Sequence, residues 1–126
     1  MITGAHFLFY SADADADRAF VRDVLELRAV DAGHGWLLFA MPPSEAAFHP
    51  ADRAFAQDQG GESLLGAVLY LMCDDLDATT ASLESRQVVF TPVQVAPWGR
   101  NTTLRLPSGA SLGLYQPTHP TAIGAP

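Results

Sequence analysis

Two stretches of this chain repeat one design. Residues 6–16 read His-Phe-Leu-Phe-Tyr-Ser-Ala-Asp-Ala-Asp-Ala, and residues 68–78 read Val-Leu-Tyr-Leu-Met-Cys-Asp-Asp-Leu-Asp-Ala. Sliding one by 62 positions, the separation of residues 6 and 68, lays apolar run on apolar run, Asp13 on Asp75, Asp15 on Asp77 and Ala16 on Ala78. In each copy a strand-like run passes directly into aspartates whose carboxylates suit the free amides of a helix N-terminus. A repeated strand-to-helix junction predicts a duplicated module, each copy opening β-α. The copies differ at their first residue, His6 in one and Val68 in the other.

The remaining pattern extends each module. Residues 2–10 predict the first strand, and the acids at 13, 15 and 17 predict a helix running to about Leu27, with Ala16, Phe20, Val24 and Leu27 on one apolar stripe. Turn residues every six to eight positions then predict short extended pieces at 28–31, 36–41 and 44–49. The second half repeats the order with a strand at 64–73, a helix over 76–87, an extended piece at 88–90, and strands at 101–106 and 111–116 around Pro107-Ser108-Gly109. This predicts an α+β chain of two βαβββ modules, residues 1–50 and 64–117, making one compact domain overall, with a linker at 51–63 and an irregular, partly mobile tail at 118–126.

Charge narrows the function. Fourteen acidic against seven basic residues give a net charge of −7, and no basic stripe is present to neutralise phosphates. Nucleic acid and anionic lipid are excluded as partners, leaving small molecules or proteins. No apolar run approaches the roughly 18 residues that span a bilayer. The opening Met-Ile-Thr-Gly lacks the basic start of a signal peptide, so a cytoplasmic protein is expected. The single Cys73 lies in an apolar run and is expected to be a buried, inert thiol. Catalytic triads, phosphate-cradling glycine loops and Cys/His zinc clusters are absent from the sequence.

Two motifs carry a resemblance. Cys-Asp-Asp-Leu-Asp-Ala at 73–78 and Leu-Pro-Ser-Gly-Ala-Ser-Leu-Gly-Leu-Tyr-Gln-Pro at 106–117 resemble the strand-to-helix junction and the closing turn and strand of the vicinal oxygen chelate superfamily. That superfamily includes glyoxalase I, extradiol dioxygenases and bleomycin resistance proteins. The resemblance implies a cupped, mostly antiparallel sheet. It also implies, for catalytic members, a divalent metal that chelates two neighbouring substrate oxygens as a Lewis acid. His6 falls on the first ligand position that the resemblance implies. Val68 and Gly113 fall on two others, and neither offers a donor atom. The remaining position lies in 44–49, where Glu45 and His49 are the candidates; a one-residue slip of register reverses the face, and Glu45 is the choice. His6 plus Glu45 is an incomplete set where an open catalytic site uses about three protein ligands.

Without a metal the cup still suits a ligand held by aromatic walls. Alternation puts Tyr70 and Met72 on one face with Val68, the face equivalent to that of His6, and Trp98-Gly99-Arg100 supplies an indole and a guanidinium between strands. The ligand-binding candidates are therefore His6, Tyr70, Met72, Trp98 and Arg100. Trp36 and Tyr115 read as wall or core, and His34 and His119 as incidental. The expected function is a small-molecule-binding protein for a planar or aromatic compound, with a degenerate metal site. A metal-dependent lyase or ring-cleaving dioxygenase and a ligand-free protein-association module stay open as alternatives. The resemblance also implies a homodimer.

Overall fold

The computed structural model describes residues 1, 3–51 and 55–124. The chain divides into two compact units, Met1–Ala40 with Arg105–Ala110, and Met41–Leu104 with Ser111–Pro126.

In the first unit, helix α1 (Ala14–Asp23) begins where the aspartates predict. Asp13 is its N-cap, and its side chain accepts the Ala16 amide hydrogen at 3.2 Å. Ser11 accepts the Asp13 amide hydrogen and donates its hydroxyl to Asp17 at 2.7 Å. Asp17 Oδ1 in turn accepts the Ser108 amide hydrogen of the Pro107-Ser108-Gly109 turn. Beyond the helix, strands β1 (Ala29–Asp31) and β2 (Leu37–Phe39) form an antiparallel hairpin. The Asp31 carboxylate pins its turn by accepting the amides of Gly33 and Gly35.

Residues 3–10 pair in no β-ladder among the described residues, although the sequence predicts a strand there from residue 2, itself outside the described residues. Phe7, Leu8, Phe9 and Tyr10 are all exposed. An apolar, branched and aromatic run sets a propensity, but a strand exists only where another strand accepts its hydrogen bonds. Residues 44–49 likewise join no ladder. They lie between Pro42-Pro43 and Pro50, which lack the backbone donor a ladder uses.

The second unit holds the complete module. Strand β5 (Tyr70–Met72), helix α2 (Leu76–Glu84) and strands β6 (Gln94–Ala96), β7 (Gly99–Arg105) and β8 (Ser111–Pro117) follow one another, and the four strands form one sheet in the order β5-β8-β7-β6. β5 runs parallel to β8 and β6 antiparallel to β7. Asp75 caps α2 as Asp13 caps α1, accepting the Ala78 amide hydrogen at 3.0 Å. The Gln116 side-chain carbonyl accepts the Leu76 amide hydrogen, so β8 satisfies a second free donor of that helix. Among the described residues Leu76, Val88, Leu104, Leu114 and Tyr115 are the buried apolar core, and all five belong to this unit. The stretch expected as a linker contains a further hairpin, β3 (Gln57–Gln59) with β4 (Glu62–Leu64), turned by Gly60-Gly61.

Candidate ligand-binding site

β5 and β8 define the candidate site. Their register sets Tyr70 opposite Gly113, Leu71 opposite Leu114 and Met72 opposite Tyr115. Opposed residues project from the same face, so Tyr70, Met72, Gly113 and Tyr115 share one side of the sheet and Leu71 and Leu114 the other. Leu114 is buried on the second side. On the first side the rings of Tyr70, Trp98 and Tyr115 meet edge to face, with centroids 5.4–5.8 Å apart. Tyr115 is 9% exposed, whereas Tyr70 and Trp98 remain 41% and 40% exposed. The cluster therefore has one buried ring and two partly exposed ones.

Trp98 reaches the cluster because Gly99 turns the chain into β7. Gly99 sits at φ 152°, and a Cβ there would run into the carbonyl of Gln116. Two hydrogen bonds from Thr118, its amide to the Trp98 carbonyl and its hydroxyl to the Pro97 carbonyl, hold the same loop.

The polar side of the cluster is made by Tyr115, His119 and Glu45. Burial first, and then the Glu45 carboxylate, push the Tyr115 phenol above its ordinary pKa, so it stays a hydroxyl. His119 Nδ1 lies 2.7 Å from the Pro120 carbonyl, which only accepts, so Nδ1 is the donor of that bond. Nε2 lies 3.4 Å from the Tyr115 hydroxyl, with the two rings stacked at 6.1 Å. Glu45 accepts the Ala122 amide hydrogen at 2.6 Å. The irregular tail is thus tied down at Thr118, His119 and Ala122.

The sequence-derived candidates separate into groups. Tyr70 and Trp98 come together, and Met72 lies on their face, half-buried. Arg100 is turned to α2, where its guanidinium forms a two-pronged ion pair with Asp77 at 3.0 and 3.2 Å. The Arg100 guanidinium, through hydrogen bonding and charge, holds the Asp77 carboxyl below its usual range. In the other copy Asp15 pairs within its own helix with Arg18. Thr80 stands at the position equivalent to Arg18, so Asp77 finds its cation on β7. His6 lies in the first unit on the unpaired run 3–10, exposed. Tyr115 and His119 were not among the ligand-binding candidates. The available signal was the alternation Gly113-x-Tyr115 on β8, with His119 four residues on.

The donor set does not fit a divalent metal. Among the described residues no three His, Cys, Asp or Glu side chains group so as to hold one. Glu45 is engaged by Ala122, Val68 is 82% exposed and has only methyl groups, and the face of Gly113 is covered by the Tyr70 ring. Cys73 donates to the Tyr115 carbonyl at 3.6 Å, and burial pushes its thiol up, away from the thiolate that binds metals.

No family model and no curated protein matches the chain. Solved structures do. The chain is similar to TnmS3, an antibiotic binding protein from Streptomyces sp. CB03234, at 24% identity over 94% of this chain and 99% of that one, with a TM-score of 0.62. It is similar to lactoylglutathione lyase from Agrobacterium tumefaciens at 21% identity over 90% and 92% of the two chains, TM-score 0.60. A member of the glyoxalase/bleomycin resistance protein/dioxygenase superfamily from Sphaerobacter thermophilus DSM 20745 matches at 20% identity over 91% and 98%, TM-score 0.59. Likeness at these identities shows the fold, and it is the one the two sequence motifs resemble.

Proposed function

We propose that this chain, built on the glyoxalase/bleomycin resistance fold, is a small-molecule-binding protein that takes a planar or aromatic compound against Tyr70 and Trp98, with no requirement for a metal. The observation that carries the reading is the ring cluster, with Tyr115 buried and Tyr70 and Trp98 partly exposed. Stacking on such rings is non-covalent and tolerant of ligand detail, which suits sequestration better than turnover. Met72 shares the face of Tyr70, and Arg100, whose charge Asp77 already balances, stays a candidate on the sequence argument. His6 enters on the sequence argument alone. The antibiotic binding described for the Streptomyces protein supports the class of function, and a cytoplasmic homodimer is the proposed setting. No helix among the described residues is long and apolar enough to cross a membrane.

A thermal-shift panel of glycopeptide antibiotics, aromatic diols and glutathione adducts tests the proposal, with Trp98 fluorescence read in a Trp36→Phe background. At least one aromatic class is expected to raise Tm and perturb Trp98, and Tyr70→Ala to abolish both effects. No shift from any class would remove the binding reading and favour the protein-association alternative. Dialysis against Mn, Fe, Ni and Zn is expected to leave less than one equivalent per chain. Stoichiometric metal that is lost in His6→Ala would instead establish the lyase or dioxygenase alternative.

A further inference from the structure

Gly113 is buried although it has no side chain of its own, because the Tyr70 ring lies on it. A Cβ built at 113 would collide with Tyr70 Cδ1 and stand only 2.6 and 2.8 Å from Cε1 and Cγ. Gly113 is not among the glycines with positive φ, so its backbone is open to any residue and glycine is needed there for space alone. The register explains the contact. Tyr70 and Gly113 are direct partners across a parallel pair, so the ring falls over the neighbouring strand at the position where a side chain is missing. Seated there, Tyr70 keeps its edge-to-face distances of 5.8 Å to Trp98 and 5.7 Å to Tyr115.

We propose that Gly113 is the positioning residue that sets the ligand class of this site: by having no side chain it seats Tyr70 as an aromatic wall, and by the same omission it withholds a donor atom from that face. The ligand class follows from volume. Any side chain at 113 displaces the ring, moves it off Trp98 and Tyr115, and replaces a flat apolar surface with whatever the new residue carries. The ligand half of this proposal rests on the aromatic-binding reading above; the seating half does not.

The test uses the full chain in a Trp36→Phe background, with near-ultraviolet circular dichroism reporting the ring cluster and proflavine as a planar aromatic probe at about 0.15 M salt, where surface charge attraction is damped. Gly113→Ala is expected to lower Tm, to lose most of the near-ultraviolet signal and to weaken proflavine binding at least tenfold. Adding Tyr70→Ala is expected to recover Tm but neither the signal nor the affinity, which separates seating from simple cover of the strand. A Gly113→Ala protein that keeps its near-ultraviolet signal and binds proflavine within twofold of the parent overturns the proposal. So does failure of the double variant to recover Tm, because the obstruction would then not be Tyr70. If Gly113→Ala alone does not fold, folding of the double variant supports the seat and its failure overturns it. A parent that binds no proflavine while Gly113→Ala loses the ring signal supports the seat and overturns the reading of the ligand.

Discussion

Asp17 Oδ1 accepts the Ser108 amide hydrogen at 3.0 Å, tying the first turn of α1 to a turn 91 residues later in the chain. The other carboxylate oxygen takes the Ser11 hydroxyl at 2.7 Å. Asp17 is the only charged side chain buried among the described residues, and neither of its oxygens is left without a donor. Burial opposes its ionisation, but the Ser11 and Ser108 bonds outweigh burial and hold the carboxyl below its ordinary pKa.

The sign of the pH effect follows. A carboxyl depressed in the folded state adds stability that is present above its unfolded pKa of about 4 and is lost as pH falls through the lower folded value. Asp17→Ala removes two charge-assisted bonds and is expected to cost about 1–3 kcal/mol at pH 7. Urea unfolding of parent and variant should show that gap closing as the pH drops below 4. A gap that stays constant from pH 7 to pH 2 would mean the ionised carboxylate is not the stabilising species.

Asp13 and Asp75 make the same bond in the two copies, each to the amide three residues on. Their alanine variants are expected to cost about 1 kcal/mol each, and the losses to add in the double variant because the caps share no partner. Chemical denaturation monitored at 222 nm measures this.

Leu104 is fully buried on β7, an inner strand of the second unit's sheet. Leu104→Ala is expected to destabilise by about 2–5 kcal/mol, through lost transfer energy and the cavity left behind. A loss below about 1 kcal/mol in a denaturant titration would show that this core collapses around the gap.

Glu45 fastens the tail through the Ala122 amide. Hydrogen exchange at that amide is expected to speed up at least tenfold in Glu45→Ala. In Glu45→Gln, which keeps a carbonyl acceptor, the change should be much smaller. Equal exchange in all three proteins would mean the bond is not maintained in solution.

Gly99 combines a positive φ with an obstructed Cβ. Gly99→Ala is expected to cost about 1–3 kcal/mol and to displace Trp98, read as a shift in its emission maximum.

The local chemistry of both helix starts was legible in the residues. A carboxylate three positions before an amide it caps is a short-range relation, and it recurs 62 positions later. The fold class followed from that repeat and from the closing motif at 106–117. Tyr70 and Trp98 were legible as aromatic candidates because alternation and a Trp-Gly-Arg loop are local patterns too. Which strands found partners was not. The runs at 6–10 and 68–72 have similar propensity, yet only the second has β8 to accept its hydrogen bonds, and pairing is a property of two segments. The meaning of Gly113 was decided in the same way. In sequence it is a missing donor; in the folded chain it is the space that Tyr70 fills, because register across a parallel pair, which no local pattern encodes, brings residues 70 and 113 face to face.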